Sequence, residues 1–181
     1  SLSNNDSGDG NTIFGKSAGA NLDAGSNYNV FIGEEVSDAT MNDALDNVGV
    51  GYRSLSALTT GDSNTCIGTN SGLVIAGGSE NTIVGKNAGD AIADSGGNCL
   101  LGANAFTDST NGHNNVVIGA DAGDDATDIG YAVIIGDSAG SGVLTNAADG
   151  TILIGRQAGA ALTTGAGNIA IGYTAMDANQ Q

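Results

Sequence analysis

Asn115-Val-Val-Ile-Gly-Ala-Asp-Ala-Gly123 decides the fold, because the chain rewrites it from end to end. NTIVGKNAG (81–89) and NIAIGYTAM (168–176) are the same unit. A glycine preceded by apolar residues recurs at Gly15, Gly33, Gly51, Gly68, Gly85, Gly102, Gly119, Gly136, Gly155 and Gly172, at intervals of 18, 18, 17, 17, 17, 17, 17, 19 and 17. Such regularity marks a repeat architecture, which has to be recognised before any local motif is weighed. Four residues before the glycine stands Asn in eight of ten copies, the exceptions being Ala132 and Thr151. The residue just before it is always apolar, the one three before is mostly β-branched, and the one three after is small in all copies but Val36. About seven after it an apolar residue often returns, as in Leu22, Leu58, Ile75, Ile92, Val143 and Leu162. ALTTG occurs verbatim at 57–61 and 161–165.

Short β-branched runs bounded by Asn and Gly read as strands, and no window carries helical spacing of apolar residues. Seventeen residues accommodate two strands of about four residues and two turns. The reading is all-β: a parallel β-solenoid (β-roll or β-helix) of about ten 17-residue coils, a rod on the order of 50 Å long at about 4.8 Å per coil. Residues 1–10 are a partial leading coil, 11–176 the ten-coil domain, and 177–181 a tail expected to run on into further sequence. The repeat glycines are assigned as corners, where polar residues follow apolar ones and a Cβ would be forbidden. The Asn residues are expected to bond from coil to coil.

The middle residue of each apolar triplet points opposite to its neighbours. If those neighbours fill the coil, the middle one faces out, as an apolar stripe too large for a monomer to expose. Ile13, Phe31, Cys66, Ile83, Leu100, Val117, Ile134 and Leu153 are therefore expected to form an interchain interface, with Gly49 and Ala170 at the same position. Burying such side chains stabilises by on the order of 10 kcal/mol. A rod with one apolar stripe closes by cyclic association; a homotrimer is expected, with a dimer the alternative that periodicity alone does not separate from it.

Composition removes other classes. Twenty acids against four bases give a net charge of −16, which repels nucleic acid and anionic membrane surfaces. No apolar stretch is long enough to span a membrane. Glycine is abundant, 31 residues, without the every-third spacing of collagen.

The three quoted strings resemble the head repeats of YadA-type trimeric autotransporter adhesins. They are similar also to the NTAIGYQAL-like repeats of phage tail fibres, which the ALTTG linker matches in style. The resemblance covers 11–176, although the adhesin repeat is shorter. It implies a homotrimeric β-roll or β-helix serving as shaft or head of an attachment organelle, on a virion tail or bacterial cell surface. The implied partners are other copies of the chain and a cell-surface glycan or protein receptor.

Chemistry-bearing residues are sparse. Asp124, Asp125 and Asp128 are the best acidic cluster for a divalent cation, against the plainer expectation that acids solvate the polar half-coils and block edge pairing. No other cofactor is expected. Glu34 and Glu35 are adjacent and so diverge on an extended chain, unlike a glycosidase pair. His113 lies in a GHNN turn with no catalytic companions, and no enzyme is expected. Lys16, Lys86, Arg156 and Arg53 follow their glycines and are expected to pair with acids of neighbouring coils. Cys66 and Cys99 lie two coils apart, beyond disulfide reach, and are expected as two buried thiols. Thr59, Thr60, Thr163 and Thr164 occupy two coils of ten, too few for an ice-binding face. The expected function is structural attachment. The alternatives are a monomeric solenoid binding carbohydrate or ice, and a polysaccharide-degrading tailspike fragment.

Overall fold

The computed structural model describes residues 8–177. Most of the expected leading segment and all but the first residue of the 177–181 tail lie outside that range. The chain forms one ten-stranded parallel sheet in strict sequence order. Its strands are β1 (Thr12–Phe14), β2 (Val30–Ile32), β3 (Val48–Val50), β4 (Thr65–Ile67) and β5 (Thr82–Val84). They continue as β6 (Cys99–Leu101), β7 (Val116–Ile118), β8 (Val133–Ile135), β9 (Ile152–Ile154) and β10 (Ile169–Ile171). Equivalent residues pair from coil to coil, Val117 with Leu100 and with Ile134 for example. Nine turns of a β-solenoid therefore lie between Gly15 and Gly172, as the repeat predicts.

Only one short strand forms per coil, where two were expected. The reason lies in the backbone. In every coil the residues two and four after the glycine and five before it have positive φ, as at Asp121 (53°), Gly123 (57°) and Asn114 (56°). Alternating left-handed residues curl the chain instead of extending it. The curled part still bonds between coils: Gly89 N–H donates to Ala105 O at 2.9 Å, and Asn87 N–H to Thr69 O at 2.9 Å. The coil with the 19-residue interval takes up part of its extra length in a 3-10 turn, Asn146–Ala148, capped by Thr145. A second extra residue falls before that turn, so Leu144, eight after its glycine, is buried and Val143 is exposed.

The asparagines before the first seven strands, Asn11 to Asn115, form the rungs of a ladder, and those from Asn29 onward are buried inside the coil. Asn81 Nδ2 donates to Asn64 Oδ1 (3.0 Å) and to Ser95 O (2.9 Å). Its own Oδ1 accepts from Asn98 N (3.1 Å) and Asn98 Nδ2 (3.0 Å). Such a ladder supplies buried backbone groups with partners that water cannot reach. At Ala132 it ends with Asn115 Oδ1 accepting the Ala132 N–H at 2.9 Å. Asn81→Ala in mid-ladder strands several buried polar groups at once and is expected to destabilise by roughly 3–5 kcal/mol in urea unfolding. Loss of less than about 1 kcal/mol would mean that the ladder is only a consequence of coil stacking.

The interior is filled by the middle residue of each strand, the small residue after the corner and the apolar residue about seven after it. Phe31, Ile83, Leu100, Val117, Ile134 and Leu153 are completely buried within the single chain, as are Ala88, Ala122, Ile75 and Ile92. Side-chain sizes compensate along the row. A Cβ on Gly49 would lie 2.7 Å from Val36 Cγ1 and 3.3 Å from Phe31 Cδ1, so Phe31 takes the space that Gly49 leaves in the next coil.

Candidate interaction surface

This packing corrects the interface expected from the sequence. Phe31, Cys66, Ile83, Leu100, Val117, Ile134 and Leu153 line the solenoid's own core and cannot reach another chain. Ile13, in the first strand, is partly buried against the same core. The strands alternate as expected, but their middle residues are on the inner side. The neighbours of these residues face out.

Two rows of side chains consequently stand on the open face of the sheet. One runs from Thr12 to Ile169 along the first strand position, the other from Phe14 to Ile171 along the third. Phe14 is 76% exposed, Leu101 47% and Ile171 65%. At about 4.8 Å per strand the face is roughly 45 Å long and 10 Å wide. Continuous apolar patches of that size on a protein surface mark contact sites. The missed signal was uniformity: the third position is large and apolar in nearly every copy, whereas the middle position varies from Gly49 to Phe31. Size variation with compensation belongs to a closed interior.

The edges of this face are polar. The residues five before and one after each glycine flank it on opposite sides. Three of the four cations, Lys16, Lys86 and Arg156, stand along the second edge and Arg53 lies one residue further on; Lys16 Nζ is 2.7 Å from Glu34 Oε1, Arg156 Nε 3.1 Å from Asp137 Oδ2 and Arg53 Nε 3.7 Å from Glu35 Oε2. These are the neighbouring-coil pairs the sequence suggests, and in exposed settings each is worth under about 1 kcal/mol. Glu34 and Glu35 thus each face a different cation. His113 packs edge-on against Tyr131, with ring centroids 5.0 Å apart.

The remaining candidates do not converge. Asp128 accepts from Thr110 Oγ1 and Asn111 Nδ2, both at 3.0 Å, while Asp124 Oδ1 accepts the Asp125 N–H at 3.2 Å. Among the described residues no three His, Cys, Asp or Glu side chains come together to hold a metal. Thr59 and Thr60 sit on a different coil from Thr163 and Thr164, so no threonine plane forms across the coils between. The thiols differ from expectation: Cys66 is buried, but Cys99 is exposed on the open sheet face, since it occupies the first strand position and Cys66 the middle one. Burial pushes the Cys66 thiol up to about 12, which leaves it inert near neutral pH.

Three carboxyls depart from the ordinary aspartate range. Asp23 is lowered, first by the Ser26 hydroxyl donating to it at 2.6 Å and further by the backbone N–H groups of Asp43 and Ser26. Asp90 and Asp124 are raised, chiefly by burial. The signs oppose. A raised carboxyl contributes stability below the unfolded value of about 3.9 and loses it as pH rises through its folded value. The lowered Asp23 contributes above about 3.9 and loses it as pH falls through its own folded value. Self-repulsion at −16 acts in the same direction as Asp90 and Asp124. The melting temperature is therefore expected to rise as pH falls through the carboxylate range above about 3.9 and to turn over below it, once Asp23 protonates. A monotonic fall across that range, read by circular dichroism, would contradict these environments.

Among known protein families, curated proteins and solved structures, none matches this chain.

Proposed function

We propose that the chain is a segment of a homotrimeric attachment fibre, with the open faces of three solenoids packed about a common axis. The observation that carries this is the unbroken apolar face from Phe14 to Ile171, on a chain with a net charge of −16. Covering on the order of 600 Å² of apolar surface per chain releases about 15 kcal/mol before association costs, of the size needed to offset the roughly 4–15 kcal/mol of lost freedom. Cyclic closure gives every copy the same environment and leaves no apolar face over. The role is mechanical: a stiff spacer that holds a receptor-binding surface, for a glycan or protein on a cell, away from a virion tail or bacterial surface. Three copies of each outward contact make weak recognition effective by avidity.

Light scattering of the full chain at micromolar concentration is expected to return three times the chain mass. Cys99 lies on the buried face of that trimer, so it should resist thiol labelling in the assembly and react when the assembly is diluted apart. Ile118→Asp, on the outer row, should give a folded monomer with a labelled Cys99. A wild-type chain that is monomeric with Cys99 freely reactive would overturn the fibre reading and favour a solitary solenoid binding module.

A further inference from the structure

On four of the ten coils the two edges of the open face carry complementary groups, although within one chain they cannot touch. The residue five before each repeat glycine lies on one edge and the residue one after it on the other. A whole strand separates them, roughly 15–20 Å at about 3.3 Å per residue. On the fifth coil the pair is Glu80 and Lys86, both exposed, and among the described residues neither forms an ion pair within the chain. On the second coil Tyr28 is matched with Glu34, and on the eighth Tyr131 with Asp137, so a phenol donor stands level with a carboxylate in both. The third coil reverses the order, with Asp46 on the first edge and Tyr52 on the second. Only the fifth coil carries charge on both edges, and there the charges are opposite.

A single solenoid has no use for complementarity between side chains that never meet. We infer that each chain's Lys86 edge docks, coil for coil, on the Glu80 edge of a second copy, so that polar pairs at the rim hold the rods parallel and in register. The inference rests on the fibre reading and adds its register. A flat apolar face alone lets copies slide by one coil or run antiparallel, because successive coils are nearly alike. The Glu80–Lys86 pair decides, because among the described residues Lys86 is the one cation with no ion pair in its own chain, and a slide of one coil sets it against Ser63 or Gly97. Parallel docking gives Lys86 a carboxylate. Antiparallel docking of two copies sets the fifth coil against the sixth, so that Lys86 meets Ala103 and Glu80 meets Gly97.

The test is a charge-reversal cycle at exposed positions of the full chain. Glu80→Lys and Lys86→Glu should each raise the concentration at which the assembly dissociates by at least about tenfold, and the double reversal should restore it to within about threefold. Mixing the two single variants should recover assembly only in part, because a ring of three cannot alternate two kinds of chain and one of its three junctions keeps like charges. A second readout uses Glu80→Cys with Lys86→Cys, in a Cys99→Ser background, where oxidation should link three chains covalently. If the wild-type chain is monomeric, the fibre reading itself fails. If it is trimeric but the double reversal is no better than the singles and no cross-link forms, the trimer stands and the edge pairing is wrong.

Discussion

Ile134→Asp is expected to unfold the central coils and not merely to separate chains. Ile134 is completely buried in the core of its own solenoid, beside the corresponding residues Val117 and Leu153 of the adjoining coils. Removing the side chain alone costs about 2–5 kcal/mol. A carboxylate left there without a partner adds several more. The sum is comparable with the roughly 5–15 kcal/mol that holds a domain together. Because coils contact only their neighbours, disruption should centre on β7 to β9 and spread outward. Hydrogen exchange of the mutant should show those strands opening first. Ile135→Asp is the matched control, one residue along on the outer row, and should leave the coil folded at low concentration. Equal damage from both would mean that the two sides of the strand are not distinguished as described.

Gly119→Ala is the second severe change. Its φ is +141°, outside the small left-handed region near +60° that other residues can occupy. A Cβ there would lie 2.4 Å from the carbonyl oxygen of Gly136 and 2.6 Å from its carbon, and backbone held in a ladder cannot withdraw. Strain and clash together are expected to cost about 4 kcal/mol or more in chemical denaturation. Gly123→Ala supplies the contrast. Gly123 has φ of 57°, and the nearest atoms to its Cβ would be Phe106 Cδ2 at 3.3 Å and Ile134 Cδ1 at 3.4 Å. Four of the ten copies carry Ser37, Leu55, Phe106 or Met176 at that position, so a loss of about 1–2 kcal/mol is expected. Should the two alanines prove equally mild, the corner would tolerate a side chain after all.

The contrast between these glycines explains why the corner was legible. A position that only glycine can occupy leaves a mark in every copy, whereas a left-handed position leaves a mixed one. The curled half of each coil, read as a second strand, carries such mixed marks at Tyr28, Asp46, Glu80 and Asn114. The interaction surface was half legible. An apolar strand face directed away from the core follows from alternation, but which parity turns inward does not. The asparagine ladder and the compensation between Phe31 and Gly49 point to the same side, and both become plain only when neighbouring coils are superposed.

From the sequence alone came the repeat length, the parallel stack and the corner glycine, because each is a local or periodic constraint imposed on every copy. The tertiary structure decided which side of a three-residue strand is interior. That depends on how Asn81, Ile83 and Ala88, brought together by the closure of one coil, fill the space inside it. Reversing that side moved the candidate surface from Ile134 to its neighbours Val133 and Ile135.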